Sequence, residues 1–67
     1  MNVMYSVEDF FVRIRQDAGK LKVTVWNSVG DKVVSDYVSA ASLDKVWNNI
    51  SKASSEAVVE SIKERMK

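Results

Sequence analysis

The sequence predicts an α+β domain: a three-stranded antiparallel meander followed by two helices packed on one face. Two patterns carry this reading. Apolar and charged residues alternate through Phe11-Val12-Arg13-Ile14-Arg15 and again through Lys20–Trp26, the period of a half-buried strand. After Ser42 the period changes, and Leu43, Val46, Trp47 and Ile50 recur at helical spacing. Sixty-seven residues make one domain, residues 1–67. A chain this short buries only about 60% of its unfolded surface, so its core is small.

The first strand competes with a helix. As a helix, Val7, Phe10, Phe11, Ile14 and Ala18 share one face, with Ser6 as N-cap, Asp9 in the capping-box position and Gly19 as terminator. As a strand over Phe10–Gln16, Val12 and Ile14 point inward while Phe11, Arg13 and Arg15 point outward. Pairing favours the strand. Closing the chain around Asp17-Ala18-Gly19-Lys20 sets Ile14 opposite Val23, Val12 opposite Val25 and Phe11 opposite Trp26. A helical turn over Ser6–Asp9 would precede it.

Val29-Gly30-Asp31-Lys32 forms the second turn, with Gly30-Asp31 suited to type II′, where the first central residue needs positive φ. Lys32–Val38 is then the third strand. One register puts Val34 and Val38 inside together with Asp36, and a β-bulge would turn Asp36 outward; the facing of this strand stays open. Ser42 is the expected N-cap of the first helix. Ser51-Lys52-Ala53-Ser54-Ser55 breaks the helical stretch, and Ser54 or Ser55 caps a second helix packing Val58, Val59, Ile62 and Met66.

Three absences narrow the function. The chain has no Cys, which excludes disulfides, thiolate metal sites and a thiol nucleophile. It has no His, the usual general base near neutral pH and the commonest metal ligand. It has no Pro to stiffen a linker. The nine serines sit in no nucleophile motif, and the two glycines sit in turns rather than in a phosphate loop. No catalytic residue, metal site or cofactor is therefore expected. Met1–Val7 lacks the features of a signal peptide, and no run approaches the ~20 apolar residues of a membrane helix. A cytoplasmic location without membrane contact is the expectation.

The net charge is only +1, too balanced to announce a nucleic-acid binder. The charges are nevertheless patterned. Phe11, Arg13, Arg15, Lys20, Lys22 and Trp26, with Tyr37 as neighbour, fall on the outer sheet face and form the candidate partner-binding set. Arg15 opposite Lys22 is a like-charge pair that costs stability in isolation. Cations among flat aromatics suit phosphate contact and base stacking, or an acidic protein surface. The bland alternative is a solvated face whose long stems lie along the strands. Trp47 reads as core. Glu56, Glu60 and Glu64 read as an ordinary solvated helix face.

A strand, a Gly-bearing turn and Lys20-Leu21-Lys22-Val23-Thr24-Val25 resemble a type I-F anti-CRISPR family encoded by phages. The similarity continues through Asn27, Val29, the Gly30-Asp31-Lys32 turn and Ser42-Leu43-Asp44-Lys45-Val46-Trp47, covering residues 10–50. The resemblance implies a meander packed on helices. It also implies a protein that docks on the repeated backbone subunits of a CRISPR surveillance complex and blocks target-DNA hybridisation. That family's contact surface uses tyrosine and glutamate on the strands. Arg15 and Trp26 occupy the corresponding positions here, so those roles do not carry over.

The expected function is accordingly non-catalytic: a small phage-type inhibitor docking on a host protein or ribonucleoprotein complex that handles nucleic acid, in the host cytoplasm if phage-encoded. A sheet-face DNA-binding module, as in AP2 and integrase arm-type domains, is the alternative. A structural homodimer, joined by an edge strand or the second helix, is the third reading.

Overall fold

Alternation is strongest in Phe10–Asp17 and Lys20–Trp26, and these segments form the central strands of the sheet. The computed structural model describes residues 2–66. In chain order the elements are β1 (Asn2–Val7), β2 (Phe10–Asp17), β3 (Lys20–Trp26), β4 (Lys32–Val38), a 3-10 turn (Ala40–Ser42), α1 (Leu43–Ala53) and α2 (Glu56–Arg65). The strands lie side by side in sequence order, all antiparallel. Both helices pack on the same face.

The core lies between that face and the helices. Val12, Ile14, Val23 and Val25 meet Val46 and Ile50 of α1 and Val58, Val59 and Ile62 of α2, all buried. Burying each such side chain stabilises the fold by about 1.5–3 kcal/mol. The β2–β3 register is the expected one throughout: Ile14 opposite Val23, Val12 opposite Val25, Phe11 opposite Trp26. Their turn places Ala18 at φ +54° and Gly19 at φ +80°, the double positive φ of a type I′ hairpin.

The sheet has four strands, not three. Asn2–Val7 pairs along β2, with Val3 opposite Ile14 and Tyr5 opposite Val12, and the expected helical turn at Ser6–Asp9 is instead a strand end followed by a tight turn. That turn bends at Glu8 with φ +54°, a conformation usually given to Gly or Asn, so the sequence carries no punctuation there. The same acidic residues fit a helix cap equally well. Tyr5 ties this edge strand to α2. Ser61 Oγ donates to the Val58 carbonyl at 2.7 Å, so the Tyr5 hydroxyl 3.0 Å away donates to Ser61.

The second turn also differs. Gly30 N–H donates to the Asn27 carbonyl at 3.0 Å, so the bend centres on Ser28-Val29 rather than on Gly30-Asp31. Gly30 takes φ +90° to leave it. Asn27 Oδ1 accepts from the backbone N–H of Val29 (3.1 Å) and of Asp31 (2.9 Å), an Asx arrangement that organises the loop. Beyond it, Trp26 pairs with Lys32 and Val25 with Val34, leaving Val33 as the extra residue of a bulge. The bulge precedes Asp36 and does not turn it outward. Asp36 lies opposite Val23 on the helix side, half-buried, where Asn49 Nδ2 donates to it at 3.4 Å.

Ser42 holds the N-cap position of α1 without a side-chain cap bond. The capping serine there is Ser39, whose Oγ accepts from Ala41 N–H in the 3-10 turn. The break at Ser54-Ser55 is as expected, with Ser55 Oγ accepting from Val58 N–H at 3.3 Å. Trp47 packs on the margin of the core rather than inside it, half-buried beneath the Lys63 ammonium.

Candidate partner-binding face

Because side chains alternate along a strand, burying Val12, Ile14, Val23 and Val25 under the helices forces their neighbours onto the opposite face. Among the described residues no element covers that face. The register arranges it in rows: Ser6, Phe11, Trp26 and Lys32; Met4, Arg13, Thr24 and Ser35; Asn2, Arg15, Lys22 and Tyr37; then Asp17 and Lys20. All seven expected partner-binding residues, Phe11, Arg13, Arg15, Lys20, Lys22, Trp26 and Tyr37, share this surface.

The face divides into two ends. At one, Phe11 (47% exposed) pairs with half-buried Trp26, and Met4 (66% exposed) lies one row away. At the other, Arg15 faces Lys22 and Lys22 faces Tyr37. Arg13 joins them from the middle row, half-buried, and among the described residues no carboxylate reaches its guanidinium.

The cationic end has internal structure. Tyr37 donates its hydroxyl to Asp17 Oδ2 at 3.0 Å, and the Lys22 ammonium lies 5.4 Å from the Tyr37 ring centroid. Arg15 Nη2 is 3.8 Å from the same Asp17 oxygen, an ion pair too long for a hydrogen bond. The hydrogen bond to Asp17, then its negative charge, raises the Tyr37 pKa above the ordinary 10.0, with Arg15 partly opposing. The like-charge pair is thus tempered within the chain, though not neutralised.

Met4, Asp17 and Lys32 also belong to the face and were not among the expected residues. Met4 and Lys32 follow from the fourth strand and from the bulge. Asp17 follows from the alternation of β2, two residues beyond Arg15 at the turn end of the strand.

The charges separate by side. Arg13, Arg15, Lys20, Lys22 and Lys32 all lie on the open face, where Asp17 is the one acidic strand residue. The other acidic residues lie in turns (Glu8, Asp9, Asp31), on the helix-facing side (Asp36) or on the helices (Asp44, Glu56, Glu60, Glu64). A near-neutral chain therefore presents a strongly cationic surface. Two surface depressions, one at Ala40–Lys45 and one between α1 and α2 beside Trp47, involve none of the open-face residues. Among the described residues, no acidic group is gathered as for a metal ion, and no helix is long and apolar enough to cross a membrane.

Comparison with protein-family models, curated proteins and solved structures finds no match to the chain.

Proposed function

We infer that the chain is a non-catalytic binding protein whose open sheet face is its docking surface. It acts as a small phage-type, anti-CRISPR-like inhibitor by seating that face on a protein of a nucleic-acid-handling complex in the host cytoplasm. The observation that carries this reading is the uncovered face itself, with Met4, Phe11, Trp26 and Tyr37 set among arginines and lysines. Met, aromatic residues and Arg are the side chains enriched at protein–protein interfaces. The meander on two helices agrees with the layout that the resemblance implies. Where that family carries tyrosine and glutamate, this face carries the cation Arg15 and the neutral aromatic Trp26, and with Arg13, Lys20, Lys22 and Lys32 it complements an acidic partner surface. Without His or Cys the chain has neither an imidazole base nor a thiol nucleophile, which supports a binding role.

A sheet-face DNA-binding module is the second reading, and the one-sided placement of the cations favours it. One experiment separates the two. The chain is added to a purified type I-F surveillance complex, target-DNA hybridisation is followed, and direct binding to free duplex is measured in parallel. The inhibitor reading expects blocked hybridisation with weak duplex binding. Normal hybridisation at excess chain, with tight duplex binding, would install the DNA reading instead.

A further inference from the structure

We propose that Asp17 tunes the open face away from phosphate polyanions and toward a protein partner. This rests on the reading of that face as the docking surface. Asp17 lies at the corner shared by Arg15, Lys20 and Lys22, opposite Lys20 in the register. Its Oδ2 accepts the Tyr37 hydroxyl at 3.0 Å while Arg15 stays 3.8 Å away. The carboxylate is therefore pinned in place by a neutral donor, and at 3.8 Å it and Arg15 offset each other's charge only in part.

The consequence differs between the two kinds of anionic partner. Duplex DNA presents one charge per ~1.7 Å of helix axis, so a duplex laid over the sheet brings phosphates to every part of the face. At this corner they meet the Asp17 carboxylate, and Arg15 cannot replace a counterion fully. A protein surface is not uniform. It can place carboxylates against Arg13 and Lys32 and a hydroxyl, amide or ammonium against Asp17. The same residue thus penalises one partner class and supplies an acceptor to the other, which is how specificity is built from a repulsive element.

The test uses a free duplex of about 20 base pairs, titrated between about 50 and 200 mM salt. Asp17→Asn keeps an acceptor for Tyr37 and removes the charge. It should bind duplex roughly twofold to fivefold more tightly than the natural chain, the range of one surface charge pair. The log–log salt slope should steepen by about 1 as Arg15 gains a phosphate. Asp17→Ser should change both in the same direction. Unchanged affinity and slope in both Asp17 variants would overturn the proposal while leaving the docking reading intact. Nanomolar duplex binding by the natural chain at physiological salt would instead overturn the docking reading, whatever the Asp17 variants do.

Discussion

Arg15 stands directly opposite Lys22 across the two central strands, and the nearest carboxylate, Asp17, is 3.8 Å from Arg15 and hydrogen-bonded elsewhere. Two like charges facing each other on a ladder destabilise it. Arg15→Thr removes the repulsion, gives up a solvent-exposed ion pair of little worth, and adds a good strand former. The fold should gain about 0.2–1 kcal/mol in urea unfolding. Partner docking should weaken in the same variant. A loss of stability would mean that the pair is held for the fold rather than for binding.

Ala18 occupies φ +54° in the central hairpin, where a Cβ crowds the following carbonyl. Ala18→Asn creates the Asn-Gly pair favoured in type I′ turns. We expect stabilisation of about 1 kcal/mol, read as a higher urea midpoint with an unchanged m value. An unchanged or lower midpoint would contradict the turn geometry.

Ile14 and Ile62 are fully buried and approach the core from opposite sides. Truncating either to Ala should cost about 2–5 kcal/mol through lost transfer energy and the cavity left behind. That is a large fraction of the total stability of a domain this small. Calorimetry should show a greatly lowered melting temperature or no cooperative transition. A near-natural melting temperature for Ile14→Ala would deny β2 its place at the centre of the core.

What the sequence disclosed depended on redundancy. The β2–β3 hairpin was legible because alternation, turn position and cross-strand partners all agreed on one register. The second helix was legible because a serine cap and an apolar stripe coincided. β1 was hidden because its turn carries Glu8 at positive φ rather than Gly, and because an edge strand needs only one good face. The bulge at Val33 left no trace, since Val33 and Val34 are interchangeable in any pattern. Parity along β2 and β3 placed Phe11, Arg13, Arg15, Lys20, Lys22 and Trp26 on one face, whereas Tyr37 depended on the register of β4, which parity left open. Their hydrogen-bonded corner was not, because the Tyr37–Asp17 contact joins residues twenty positions apart through two ladders.

Tyr37 offers a spectroscopic check on that corner. Its hydroxyl hydrogen bond to Asp17 and the charge beside it raise its pKa above 10.0. The neutral phenol therefore supports the fold below the ordinary tyrosine range, and this support is lost as pH climbs through the raised value. Ultraviolet titration should show one tyrosine ionising late, and Asp17→Asn should bring it back toward the ordinary value. A Tyr37 that titrates normally in the natural chain would contradict its hydrogen bond to Asp17.

The central claim is that the open sheet face, and not the helical side, meets the partner. It is tested most directly on the partner proposed above, a purified type I-F surveillance complex, by measuring its affinity for Arg13→Ala, Trp26→Ala and a helix-side control, Lys52→Ala, whose charge change equals that of Arg13→Ala. Arg13→Ala and Trp26→Ala should each cost about 2 kcal/mol or more, roughly thirtyfold in affinity, with folding retained. Lys52→Ala should bind as the natural chain does. Equal binding by all three variants, or a loss confined to Lys52→Ala, would contradict it.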